Sequence, residues 1–560
     1  MNRLASLDKL VFVVYFLIVA VYGYAVYRRK KKAVTASHDF FLAEGSLTWW
    51  AIGASLIASN ISAEQFIGMS GNGFKIGLAI STYEWMAAAT LVIVATFFIP
   101  VYLKNKIYTM PQFLSTRYND TVAMIMAVFW LLLYVVVNLT SILYLGALAV
   151  SSIAGLNLTA CMYGLAIFAI FITLGGMKVI GYTDVIQVFF LILGGLVTTY
   201  LALNMVADHF GTPGLVNGFK QMTHHINDHF HMILQKSNSN YASLPGLTVL
   251  LGGMWIVNLN YWGCNQYITQ RALGADLKTA RGGLLFAAFL KLMMPIIVVI
   301  PGIAAYMLHQ EGGFQTEMLQ NGEINPDRAY PILLNLLPVG LKGLAFSALT
   351  AAVVASLAGK ANSISTIFTL DIYKKKLNMA ADEKKMVKVG RLCVVVAMLL
   401  GVVIAPLMGI DKKGGFEFIQ EYTGFVSPGI FAMFILGFFW KKATSNAALF
   451  ATVGGFILSV VFKFLPRIMD LHFLAATGFA TPVTQNDGTI LYEIPFLDRM
   501  GFVFVICIVA MYIISMVDNR RGIVPKGLII DRSMFRPNRS FAVGALLVFG
   551  ILTALYTIFW

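Results

Sequence analysis

LIASNISAEQFIGMSG, residues 56 to 71, decides how the rest of the chain is read. It lies in an apolar run that starts at Trp49 and is long enough to cross a bilayer, yet its middle carries Asn60, Ser62, Glu64 and Gln65. Polar side chains and unwound backbone are tolerated at membrane depth where they line a cavity, bind an ion or bond across a bundle. An Asn, a Glu and a Gln crowded between positions 60 and 65 favour a binding site over simple helix-to-helix glue.

Around this stretch stand 560 residues that are 58% hydrophobic and 12% charged, with a mean hydropathy of +0.77. About fourteen apolar stretches of roughly twenty residues can each span a hydrocarbon core of about 30 Å as a helix. The expected fold is therefore an all-α polytopic membrane protein, one transmembrane domain over residues 1–560 with no soluble domain. The formal charge of +15 does not imply nucleic acid, because the basic residues form no single face or tail with interleaved aromatics. They recur in every second loop: Arg28 to Lys32, Lys104 to Arg117, Lys178, Arg271 to Arg281, Lys374 to Lys385, Lys441 and Arg520 to Arg539. Those loops are expected in the cytoplasm, which puts both termini and the long loops Ala207 to Pro245 and His309 to Pro338 outside. The first apolar run precedes its basic cluster and is read as a retained helix, not a cleaved leader. Four cysteines in separate spans show no disulfide or zinc spacing and read as packing residues.

Five spans after the first polar break, NLNYWGCNQ, residues 258 to 266, interrupts the seventh span. An odd number of helices between two breaks gives the halves opposite orientation, as an inverted repeat requires, and places a site near the midplane. The halves are residues 48–206 and 247–440, with 1–47 and 441–560 peripheral. Gly71, Gly73 and Gly77 are expected to mark a short outer turn.

Further intramembrane polar residues are Glu84, Lys291, Asp184, and Gln420 with Glu421. A charge at bilayer depth costs at least a few kcal/mol and so faces a cavity or a partner. Lys291 lies too deep to snorkel easily, whereas Asp184 at the start of its span also fits a helix-dipole role. Amides that donate and accept, a carboxylate and an ammonium suit a neutral polyhydroxylated ligand such as a sugar. Tyr83, Tyr261, Trp262 and Phe416 stand beside them as candidate apolar walls, although each could equally be core or interfacial belt. No nucleophile elbow, zinc-ligand helix or phosphate loop appears, so an enzyme is not expected. The cluster HHINDHFH, residues 224 to 231, reads as a solvated loop before a metal site.

The runs GASLIASNISAEQFIGMSG, YEWM, TDVIQVFF, YWGCNQY, QEYTGFVSPG and LYTIFW resemble the sodium/solute symporter family, most closely its sodium/galactose and sodium/glucose branch. The resemblance runs from about Asp39 to Trp560. It implies a LeuT-like fold of fourteen helices with a 5+5 inverted repeat, alternating access, and sodium as the ion that drives a monosaccharide, galactose or glucose, uphill. It implies sugar contacts at Asn60, Gln65, Glu84, Asn258, Lys291 and Gln420, with Tyr261 as the inner gate and Trp262 beside it. Met69, Tyr83 and Phe416 would form the outer lid. Sodium would meet the carbonyls of Ala58, Ile61 and Ala352 and the hydroxyl of Ser356, and Asp184 would lie on its exit route.

Three departures stand out. Ala87 replaces a Ser near the sugar, Asn260 replaces a Tyr before the gate, and Ala355 replaces the first of two adjacent sodium-ligating serines. Lys360, one helical turn after Ser356, brings a cation to the same helix face unless it points to the cytoplasmic vestibule. The expectation is a sodium-coupled monosaccharide symporter in a bacterial inner membrane, as monomer or homodimer, with lipid, sugar and sodium as its partners. The alternatives are a facilitated or proton-coupled carrier, a sugar sensor or leak channel with a weakened sodium site, or a symporter of another small solute.

Overall fold

The computed structural model describes residues 4–30, 48–174, 177–320, 322–408, 415–484 and 488–560. Lys31 and Lys32 of the first basic cluster and the side chain of Asp184 lie outside the described residues. Helix dominates because a chain in lipid must satisfy its backbone internally, and a helix does so within one segment. The strands among the described residues are two loop hairpins, Leu319–Gln320 with Glu323–Ile324 and Thr481–Thr484 with Ile490–Glu493.

In chain order the principal helices are α1 (Ser6–Lys30), α2 (Trp49–Asn60), α3 (Ser70–Ile76), α4 (Leu78–Lys104), α5 (Asp120–Ala154) and α6 (Leu158–Thr173). Next come α7 (Met177–His209), α8 (Gly253–Gly263), α9 (Gln266–Leu273), α10 (Leu277–Gln310), α11 (Leu341–Leu377) and α12 (Glu383–Leu407). The last are α13 (Gly415–Gly424), α14 (Ser427–Phe439), α15 (Ser445–Arg467), α16 (Phe496–Arg520) and α17 (Arg539–Ile558). By length and composition nine helices among the described residues could each cross a membrane, or ten when α13 and α14, bent by 52°, count as one broken span.

The second expected span breaks where its polar residues fall. Helix α2 ends at Asn60, Ile61 is extended with ψ 108°, and wide π-helical turns over Glu64–Met69 lead into α3. The seventh breaks twice, at Gly252 after a short helix Leu247–Leu251 and again at residues 264 and 265 between α8 and α9. The third break, between α13 and α14, is not evident from hydropathy. Gly71 and Gly73 lie inside α3 and not in a turn; Gly77 alone of the three has the left-handed φ, +88°, that a turn uses. Helix α7 begins seven residues before Asp184, which removes that residue from the helix N-terminus and from a dipole role.

Helix α10 is central, packed against α2, α3, α4 and α7, while α11 packs on α1, α6, α7 and α12. A Cβ on Gly302 would stand 2.0 Å from the Ser70 carbonyl oxygen, so α3 and α10 meet backbone to backbone. Arg117, counted above among loop charges, is buried, and its guanidinium donates to the carbonyls of Gly437 (2.8 Å), Trp440 (2.9 Å) and Ala443 (3.0 Å). It closes the C-terminal end of α14, where carbonyls lack helical donors.

The Asp8 carboxylate accepts from Gly340 N–H at 2.7 Å and Gly343 N–H at 3.0 Å, and Met232 N–H donates to Phe559 O at 2.7 Å. Both ends of the described chain therefore sit on the side of the two long loops. Those loops are not bare coil: one carries the helix Leu215–His225, the other the helix Ala329–Asn335. Of the loop histidines, His224, His225 and His231 are exposed, as a solvated loop requires, although each of the last two has a neighbour: His225 stacks on Phe210 at 4.5 Å and His231 Nδ1 lies 2.9 Å from Trp560 O; His229 is half-buried and stacks on Tyr306 at 3.9 Å.

Candidate functional site

The polar residues of the first break serve the break itself. In an unbroken helix the N–H groups of Ser62 and Glu64 would reach the carbonyls of Ala58 and Asn60. Here Ser62 N–H donates to Gln65 Oε1 at 3.3 Å and Glu64 N–H to Ser62 Oγ at 3.1 Å. The carbonyl end of α2 is thereby turned toward α11, where Ser356 Oγ donates to Ser59 O at 3.4 Å. Ala58, Ile61, Ala352 and Ser356 are all buried along this contact, and Ala355 is buried beside them.

Beside the break a narrow cavity of about 80 Å³ opens. Asn60, Gln65, Glu84, Asn258, Tyr261, Lys291 and Gln420, far apart in sequence, all line it, as do Tyr83, Trp262, Phe416 and Ala87. Met69 does not; it is fully buried in the π-helical turn.

Lys291 is the hub. It is 1% exposed, and its Nζ donates to Glu84 Oε2 at 2.5 Å and to Asn60 Oδ1. Asn60 Nδ2 in turn donates to Tyr261 OH at 3.1 Å, and the Lys291 ammonium stands 5.3 Å from the Trp262 ring centroid. One network thus ties α2, α4, α8 and α10. Pro295 lies four residues after Lys291 inside α10 and lacks the N–H that would engage the Lys291 carbonyl, a local weakening beside the site. Asn258 donates to its own helix at Met254 O, 3.2 Å, and Asn260 Nδ2 to Ser427 Oγ, 3.1 Å, across to α14. Tyr83 meets Phe416 edge to face at 4.9 Å and forms an aromatic cover.

Several lining residues were not singled out from sequence as contacts: Asn138, Asn265, Thr423, Ser427 and the carboxylate of Glu64. Asn138 had a usable signal, a lone amide in the apolar run LYVVVNL, which winds as a π-helix. Lys360 points into the cavity and not to a vestibule: it is 4% exposed and its Nζ donates to Asn138 Oδ1 at 2.8 Å. Glu421 turns away from the cavity and pairs with Lys463 and Arg499 on α15 and α16.

Outside the spans, Asp327 accepts from Gly415 N–H at 2.9 Å and so fixes the start of α13, next to Phe416. Burial pushes its carboxyl up to about 6. Lys75 and Glu417 pair nearby at 3.1 Å.

Residues 40–455 match the model of the sodium:solute symporter family. The chain is 44% identical to the sodium/glucose cotransporter of Vibrio parahaemolyticus over 100% of this chain and 99% of that protein. It is 33% identical to human sodium/myo-inositol cotransporter 2, over 81% of this chain and 69% of that one. The sheep sodium/glucose cotransporter 1 is 30% identical over 91% of this chain and 78% of its own length. Among solved structures, a Na+-coupled sialic acid symporter superposes with a TM-score of 0.75 at 21% identity, covering 94% of this chain and 100% of that one.

Proposed function

The chain belongs to the sodium:solute symporter family, and on that premise we propose that it is a transporter, not an enzyme, that couples sodium entry to uphill uptake of a neutral monosaccharide. Galactose or glucose is the substrate this reading names. The observation that carries it is the composition of this cavity: amides and hydroxyls around two carboxylates, Glu64 and Glu84, and two ammoniums, Lys291 and Lys360, with no arginine among the described residues that line it. Balanced formal charge and mixed donors and acceptors suit a neutral polyol, and an anionic substrate would leave a charge uncompensated.

In this reading Asn60, Gln65, Glu84, Asn258, Lys291 and Gln420 hydrogen-bond the sugar, Tyr261 stacks under it as the inner gate beside Trp262, and Tyr83 with Phe416 closes over it. Met69 supports that lid from within the core. Sodium meets the carbonyls of Ala58, Ile61 and Ala352 and the Ser356 hydroxyl, and leaves past Asp184. The carbonyl end freed by the break supports this assignment, since a small cation must exchange its water shell for such oxygens.

The architecture that goes with it is fourteen spans in a LeuT-like fold, with residues 48–206 and 247–440 as inverted repeats, in a bacterial inner membrane with both termini outside, as a monomer or homodimer. Placement of both chain ends on the long-loop side supports the orientation. Uptake of radiolabelled galactose and glucose into proteoliposomes tests the proposal, with inward gradients of sodium, potassium or protons compared. Transient accumulation above equilibrium with sodium alone is expected. Equilibration without accumulation under every gradient would overturn it in favour of a facilitator.

A further inference from the structure

Glu64 and Lys360 line the cavity but have no part in the sugar contacts assigned above. Lys360 lies on α11 four residues after Ser356, hence on the same face and about 6 Å along the axis. Its ammonium donates to Asn138 Oδ1 at 2.8 Å from α5 and stands 5.3 Å from the ring centroid of Tyr134 and 5.9 Å from that of Tyr261. The charged groups that face it are Glu64, from the π-helical turn after the break, and Arg271 on α9. Glu64 Oε1 is buried and accepts no hydrogen bond among the described residues, so it acts on Lys360 through its field.

We propose that Lys360 is a resident rival of the coupling ion, a tethered cation whose position and sodium occupancy exclude one another and which also contacts the inner gate. The proposal rests on the reading that sodium binds at the carbonyl end of α2 beside Ser356. A sodium ion there and the ammonium of a residue whose backbone lies one turn along the same helix face repel in a poorly hydrated interior, and on this proposal the repulsion weakens sodium binding by about tenfold. Ala355 supplies no hydroxyl to offset that loss. When sodium leaves, the repulsion ends, and the ammonium on the π-face of Tyr261 holds the gate residue against α5 and α11. Lys360 is on this account a positioning residue for coupling. It exchanges no proton with substrate and makes no sugar contact.

The test uses the full chain in proteoliposomes and reads the sodium concentration that gives half-maximal galactose uptake, the KM for galactose, and sodium-free galactose exchange. Lys360→Met keeps the stem and removes the charge; it is expected to lower the half-maximal sodium concentration about tenfold with the galactose KM unchanged. Lys360→Arg should keep the high sodium requirement. Asn138→Ala removes the ammonium's anchor and is expected to raise the sodium requirement severalfold, the opposite direction, which a mere packing defect in both variants would not give. Retained sodium-free exchange certifies that a variant is folded. A sodium requirement in Lys360→Met that is unchanged or higher, in a wild type that accumulates galactose with sodium, overturns this inference alone. Sodium-driven accumulation that appears only in Lys360→Met supports it, and none in either protein removes the symport reading and this proposal together.

Discussion

Two buried lysines share one cavity and are compensated in different ways. Lys291 holds a carboxylate in direct contact, Glu84 at 2.5 Å, and an amide oxygen on a third helix. Lys360 donates to a neutral amide, Asn138, and stands over two tyrosine rings, with its carboxylate, Glu64, acting at longer range. A directly paired ion in a dry interior resists rearrangement, because breaking it strands two charges. An ammonium held by an amide and π-faces gives up less when it moves. The Lys291 side of the cavity therefore reads as a fixed wall, and the Lys360 side as the part free to change during a cycle.

The largest expected effect tests the fixed wall. Glu84→Ala leaves the Lys291 charge buried and unpaired, and should cost about 3–5 kcal/mol of stability and abolish uptake. Thermal unfolding in detergent would show it, and the pair Glu84→Gln with Lys291→Met should recover much of that loss. Equal stability of Glu84→Ala and wild type would erase the contrast between the two lysines.

A third buried ionisable group, on the long-loop side, extends the comparison. Burial raises the Asp327 carboxyl to about 6, above its ordinary range. A raised carboxyl pKa stabilises the fold at low pH, and that contribution is lost as pH rises through about 6. Between pH 5 and 7 the loss should be about 1 kcal/mol. Melting curves across that range should slope downward in the wild type and flatten in Asp327→Asn, which keeps an acceptor for Gly415 N–H. A slope that persists in the variant would place the titration elsewhere.

The smallest effect separates the two sides at the residue they share. Tyr261 bonds Asn60 through its hydroxyl and faces Lys360 with its ring. Tyr261→Phe removes the hydroxyl's bond to Asn60 and keeps the ring, and should weaken sugar binding by about 1 kcal/mol, severalfold in Kd, with the sodium requirement unchanged. A sodium requirement that moves with the hydroxyl would show that the two lysines are not separable.

Much of this site was legible in the sequence because polar residues are rare in lipid and each one demands a cause. The broken second span, Glu84 and Lys291 were readable for that reason. That Glu84 and Lys291 pair with one another was not, since 207 positions separate them and hydropathy carries no distances. The bend between α13 and α14 was missed because TGFVSPG is apolar enough to pass for one span, and its Pro428 falls in the first turn of α14, where proline is accommodated. Asn138 was missed because one amide in a long apolar run looks like helix-to-helix glue until Lys360 is seen against it. Arg117 misled in the other direction, a loop charge by position and a buried cap in the fold.

The equality of formal charge in the cavity, Glu64 and Glu84 against Lys291 and Lys360, also bears on how the protein meets the membrane voltage. Each elementary charge carried across 100 mV is worth about 2.3 kcal/mol. An empty carrier whose cavity sums to zero would reorient without sensing that field, whereas one sodium ion would make the loaded step electrogenic. The resting potential would then hasten entry of cargo and leave the return of the empty protein to its own conformational barrier.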